Sequence, residues 1–168
     1  SNASPIDLSG DRVTGSLIIL GLFLSLYSTY LDFSLHYGLY SEGIFCSISE
    51  FIDCSSIYLS EYSRIFDYSK SFLGSIYYTI LCISFGFLLK KSDESRFNLF
   101  LLFVAVGALF SVYNLYLSLF VIRKICIICT LLQGINISLF IYLAQERRRL
   151  YQDIFAIKFT QYFYSQLL

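Results

Sequence analysis

The chain has 168 residues, of which 57% are hydrophobic and 14% charged, with twelve Lys and Arg balancing twelve Asp and Glu. Soluble domains carry roughly 25% charged residues, so this composition excludes a soluble domain and indicates a single membrane domain. With zero net charge there is no electrostatic basis for a nucleic-acid partner.

Residues 1–12 form a polar lead, in which Ser1, Asn2 and Ala3 read as a tag remnant; with no Met in the sequence, the natural start is expected to be missing. Residues 13–31 are uncharged and apolar, the length of a first spanning helix, and Asp32 and His36 are expected to mark its exit. His36 is the only histidine, so no second imidazole is present to complete a metal site. Residues 37–70 turn to Ser, Glu, Asp, Gly and Tyr, contain Cys46 and Cys54, and form an outer loop. Loops of this length in compact proteins are usually functional. Within it, Ile48, Phe51, Ile52, Ile57, Tyr58 and Leu59 are spaced for a short amphipathic helix across residues 47–62, lying over the bundle mouth as a lid.

Residues 71–89 make the second span, followed by Lys90, Lys91 and Arg96. Residues 97–122 make the third, longer than the bilayer requires and expected to tilt or protrude. Arg123 and Lys124 form the next turn, and the uncharged run 125–144 is the fourth span. Residues 146–168, basic and then aromatic, are expected to continue as a cytoplasmic or interfacial helix. The predicted fold is all-α and integral to the membrane: a four-transmembrane-helix bundle over residues 13–145 with an outer loop carrying the lid helix.

Four spans put both termini on one side. That side holds Arg12, Lys90, Lys91, Arg96, Arg147, Arg148, Arg149 and Lys158, against Arg64, Lys70, Arg123 and Lys124 on the other. The positive-inside rule then predicts cytoplasmic termini and places Cys46, Cys54, Cys126 and Cys129 on the outer face. In bacteria that is the oxidising face, where disulfides form.

Two cysteine pairs on such a face admit structural disulfides, a metal site or a relay of exchangeable disulfides. The interval between Cys46 and Cys54 is a poor match for zinc, whose paired ligands usually lie two to four residues apart, so no metal is expected. A relay has a physical basis in the stretch R-K-I-C-I-I-C-T-L-L-Q-G-I-N, residues 123–136. On a helix Cys126, Cys129, Gln133 and Asn136 form one stripe, two thiols at the membrane surface and two amides below. Cys126 at the helix start meets unpaired N–H groups that favour a thiolate, to which Arg123 and Lys124 would add. Buried amides in a membrane helix are expensive and rarely face lipid, so the stripe is expected to face a cavity able to take a quinone ring, or to bind a neighbouring helix. Cys82 lies inside the second span with no partner at its depth and reads as a small packing residue.

These residues resemble the vitamin K epoxide reductase family: the Cys46 to Cys54 interval in the first outer loop, Ser60 six positions on, Gly74 and Tyr78 opening the second span, and C-I-I-C with Asn136 seven residues beyond Cys129. The opening G-L-F-L-S-L-Y-S-T-Y of the first span is similar to that of bacterial members, and the resemblance covers roughly residues 15–145. It implies a four-helix bundle around a quinone, ubiquinone or menaquinone, with Ser60, Tyr78, Gln133 and Asn136 near the ring. It also implies that Cys46 exchanges with a separate thioredoxin-like periplasmic protein, that Cys54 carries electrons to Cys126, and that Cys129 reduces the quinone. Phe66-Asp67-Tyr68-Ser69 departs from the bacterial pattern, while Gln133 and Lys70 stand where mammalian members carry Tyr and Asn. About twenty residues follow the fourth span, so the redox partner is expected to be another chain.

The expected function is thus a quinone-dependent thiol oxidase of the bacterial inner membrane. The rivals are a quinone or epoxide reductase on the same fold, and a transporter capturing a soft metal ion through its outer thiols.

Overall fold

The computed structural model describes residues 8–38, 48–90 and 94–167. Four helices in it are long and apolar enough to cross a membrane, over Arg12–His36, Lys70–Lys90, Ser95–Ile122 and Ile127–Arg148. They belong to α1 (Leu8–His36), α3 (Lys70–Lys90), α4 (Glu94–Tyr116) with the π-helical turn Leu117–Ile122 that extends it, and α5 (Ile127–Leu167). Between α1 and α3 lie the six-residue α2 (Cys54–Leu59), a 3-10 turn (Glu61–Ser63) and a small hairpin of β1 (Arg64–Ile65) and β2 (Tyr68–Ser69). The protein is a multi-pass, all-α membrane bundle, as its hydropathy predicts.

α1 packs against α3 and α5, and α4 against α5. Their shared core includes Ile18, Tyr78, Leu81, Val104 and Leu139. α1 and α3 approach closely at Gly21, where a Cβ would run into the Tyr78 ring, so only glycine permits this spacing.

α1 is inverted relative to a soluble amphipathic helix. Ser25, Ser28, Asp32 and Ser34 are buried, while Phe23, Tyr30 and Phe33 are exposed on the outer surface. Lipid tails solvate apolar side chains and penalise polar ones, so the polar stripe turns inward. The helix ends at His36, as expected, and Asp32, buried one turn before its end, accepts a hydrogen bond from Ser69 of β2 and lies 3.2 Å from His36 Nδ1.

The lid helix is shorter than residues 47–62. Ile48, Phe51 and Leu59 are exposed, and residues 48–52 are not helical. Their backbone is committed elsewhere: Phe51 O accepts from Ile125 N at 2.9 Å, and Asp53 N donates to Ile125 O at 3.1 Å, across a parallel bridge between Ile52 and Ile125. Asp53 then caps α2, its carboxylate accepting from Ser56 N. The third span ends in the π-helical turn, which Arg123 closes in the left-handed region at φ 57°. α5 continues without a break through the expected tail to Leu167.

Candidate active site

The bridge between Ile52 and Ile125 sets two cysteines side by side, because Cys54 and Cys126 each follow a bridged residue closely. Cys54 Sγ and Cys126 Sγ lie 2.9 Å apart, and both residues are fully buried. That is a non-bonded approach, longer than the roughly 2.05 Å of a disulfide, and of the kind that precedes thiol–disulfide exchange. Cys54 is disulfide-bonded, whereas Cys126 and Cys129 are free thiols. Cys46, the other predicted loop cysteine, lies outside the described residues.

Cys126 precedes α5 rather than riding on it, which corrects the expected single helical stripe: Ile125 is held in the bridge, and the helix begins at Ile127. The expected helix-start environment is nevertheless present, since Cys129 N donates to Cys126 Sγ at 3.3 Å. Such a contact favours the thiolate form of a sulfur. The neighbouring cations contribute less than the sequence suggests. Arg123 is exposed, and Lys124 Nζ is engaged 3.6 Å from Asp53 Oδ2 and 3.3 Å from Ser56 Oγ, tying the α5 entry to the α2 cap.

On the other side of Cys129 opens a cavity of about 430 Å³ between α1, α2, α3, α4 and α5. Ser60, Tyr78, Gln133 and Asn136, the four residues expected near a ring, all line it, together with Cys129 and Lys70. Cys54 and Cys126 do not line it. Ser60 Oγ donates to Ile57 O at 2.7 Å, closing the end of α2. Tyr78 Oη donates to Leu132 O at 3.0 Å, fixing α3 to α5. Asn136 is held between helices, accepting from Tyr77 Oη at 2.8 Å and donating to Ser111 Oγ at 3.0 Å. The helix-binding alternative therefore describes Asn136 well. Gln133 differs, because its Oε1 is buried and unpartnered.

The donor set fits a quinone. The volume suits a ring with part of its tail, apolar walls dominate, and the orphaned Gln133 oxygen is an acceptor for the hydroxyl of a reduced ring. Lys70 Nζ reaches Asn114 Oδ1 at 2.8 Å and sits near the Phe110 and Tyr113 rings, placing an ammonium group in the same wall. Cys82 is a free, partly buried thiol packed against the core. No group of three or more metal-ligating side chains occurs among the described residues.

Sequence reasoning passed over two residues. Tyr58, counted only as an apolar lid residue, is 2% exposed, and its hydroxyl lies 2.6 Å from Ser28 Oγ, 3.9 Å from Cys126 Sγ and 3.8 Å from Cys129 Sγ. Ser28 belongs to the buried polar stripe of α1, whose spacing at residues 25, 28 and 32 is the signal that would have found it.

A model of the vitamin K epoxide reductase family matches residues 13–144, which span all four membrane-crossing segments and both pairs of cysteines. The chain therefore belongs to the vitamin K epoxide reductase family, membrane oxidoreductases that link thiols to quinones.

Proposed function

We propose that the protein is a thiol:quinone oxidoreductase of a bacterial inner membrane. It takes two electrons from a separate thioredoxin-like periplasmic protein that forms disulfides, and passes them through Cys46 and Cys54, then Cys126 and Cys129, to ubiquinone or menaquinone. The observation that carries this reading is the 2.9 Å approach of Cys54 Sγ to Cys126 Sγ, with Cys129 three residues on in the cavity wall.

In the forward direction a Cys54 thiolate attacks Cys126 Sγ of an oxidised Cys126–Cys129 pair. The bond between Cys126 and Cys129 breaks, a Cys54–Cys126 mixed disulfide forms, and Cys129 leaves as a thiolate. Attack by Cys46 on Cys54 then frees Cys126 and leaves the loop pair oxidised and the helix pair reduced. A quinone, when bound, supplies an acceptor for two electrons and two protons. Gln133 would hold and orient it through its unpartnered Oε1, Ser60, Tyr78 and Asn136 would form the surrounding wall, and the apolar cavity walls would exclude water from the thiols.

The balance of Lys and Arg supports cytoplasmic termini with the cysteines facing the periplasm. On this reading residues 13–145 are the catalytic domain, 1–12 a lead, and 146–168 a cytoplasmic or interfacial helix.

The test is reduction of a decyl-chain ubiquinone and of menadione by pre-reduced protein in detergent, followed by absorbance, for the parent and for Cys129→Ala. The parent is expected to reduce at least one of the quinones and the variant neither, because the variant lacks the only thiol of the helix pair that lines the cavity. A folded parent inert towards both, or a variant as active as the parent, would overturn the proposal.

A further inference from the structure

Oxidising the Cys126–Cys129 pair releases two protons as well as two electrons, and the sulfurs differ in how those protons can leave. Cys129 lines the cavity, but Cys126 does not and is fully buried. Cys126 Sγ faces Cys54 Sγ, the Cys129 N–H and the Tyr58 hydroxyl. Of these, only the hydroxyl can accept a proton while giving up another. Both thiols are oriented to donate to Tyr58 Oη. Beyond it, Ser28 Oγ lies 2.6 Å away and Ser71 Oγ a further 3.0 Å on, and Tyr58, Ser28 and Ser71 all line the cavity.

Resting on the thiol:quinone reading above, we propose that the Tyr58 hydroxyl is the proton relay between the buried dithiol and the cavity, handing protons on through Ser28 and Ser71. The step balances. As the sulfur–sulfur bond between Cys126 and Cys129 forms, the two S–H bonds break and two electrons leave for the acceptor. The Cys126 proton moves to Tyr58 Oη, the Tyr58 proton to Ser28, and the Ser28 proton towards Ser71 and the cavity, while the Cys129 proton leaves directly into the cavity that Cys129 lines, so that a quinone there takes up both protons with the two electrons. Tyr58 ends each turnover protonated, as it began.

Burial, and secondarily the two neighbouring thiols, push the Tyr58 phenol well above its ordinary pKa. The ring therefore remains neutral and works by taking one proton while losing another, not by ionising. Packing alone would be served by Phe. A tyrosine whose hydroxyl meets both thiols and the buried end of the α1 polar stripe has a more specific use.

The experiment compares Tyr58→Phe, Ser28→Ala and Ser28→Thr with the parent in two assays. In decyl-ubiquinone reduction, Tyr58→Phe and Ser28→Ala are expected to lower kcat on the order of 10²-fold, the usual lower worth of a positioned proton-transfer group, with KM unchanged. Ser28→Thr, which keeps the hydroxyl, is expected to retain the parent rate. In quinone-free protein, the infrared difference between dithiol and disulfide states should contain phenol bands that vanish in Tyr58→Phe and shift in Ser28→Ala, because closing the disulfide removes both donors to Tyr58. An active parent with unchanged kcat in Tyr58→Phe and Ser28→Ala, or a difference spectrum without Tyr58 bands, would overturn the relay alone. A parent that reduces no quinone would instead overturn the function on which the relay rests.

Discussion

Gly21→Ala tests whether the cavity wall is set by the spacing of α1 and α3. A methyl carbon at Gly21 would lie 2.7 Å from both Cδ1 and Cζ of Tyr78, and closer still to Cε1. Carbon atoms need about 3.5–4.0 Å, so the ring or the helix must give by well over ~1 Å. Tyr78 is buried in the core and its hydroxyl donates to Leu132 O at 3.0 Å, so it cannot move without loosening that bond. Overpacking costs about 1–3 kcal/mol and a lost hydrogen bond about 1 kcal/mol, giving roughly 2–4 kcal/mol in all. Tyr78 also lines the cavity, so the KM for decyl-ubiquinone is expected to rise along with the loss of stability. Thermal unfolding in detergent and steady-state quinone kinetics measure the two effects. Adding Tyr78→Leu, which removes the ring, should return most of the stability. If Gly21→Ala unfolds at the parent temperature with parental KM, the close approach of α1 and α3 does not shape the cavity.

Two further outcomes follow from the site. Gln133→Leu removes a buried acceptor that has no partner, so thermal stability should hold or rise, since an unsatisfied buried group costs about 1–3 kcal/mol, while the quinone KM should increase; a fall in stability with unchanged KM would refute the role given to Oε1. Asp53→Ala removes both the α2 cap and the ion pair with Lys124, so it should cost about 1 kcal/mol in thermal stability and slow formation of the Cys54–Cys126 mixed disulfide, trapped and read by mass spectrometry; a parental trapping rate would mean that the cap does not position Cys54.

The four spans were legible because lipid imposes a length and an absence of charge that few other environments demand. The shared direction of Cys129, Gln133 and Asn136 was legible from helical spacing, and Ser60 and Tyr78 from the family resemblance. The contact between Cys54 and Cys126 was not readable from spacing, because it joins residues 72 apart through main-chain bonds at Ile52 and Ile125, which no side-chain pattern records. The same bonds explain why the lid helix is shorter than periodicity predicts: apolar spacing registers Ile48 and Phe51 but not the engagement of their backbone. Tyr58 was overlooked because a tyrosine among isoleucines counts as bulk until its hydroxyl has an address. The α1 serines suffered the opposite fault. Each alone looks like a small packing residue, and only their common face shows that they form a polar seam.

The strap that joins Phe51, Asp53 and Ile125 is made wholly of peptide groups, and this has a consequence for how the sequence can diverge. The approach of Cys54 to Cys126 does not depend on which side chains stand at positions 51, 52 and 125, provided that the N–H groups of Asp53 and Ile125 remain available and proline is kept away from them. The surface around these thiols, where Ile48 and Phe51 are exposed, can therefore change its side chains while the distance between Cys54 and Cys126 stays fixed. On the function proposed above, partner choice and electron transfer would then be free to evolve separately within a few residues of each other.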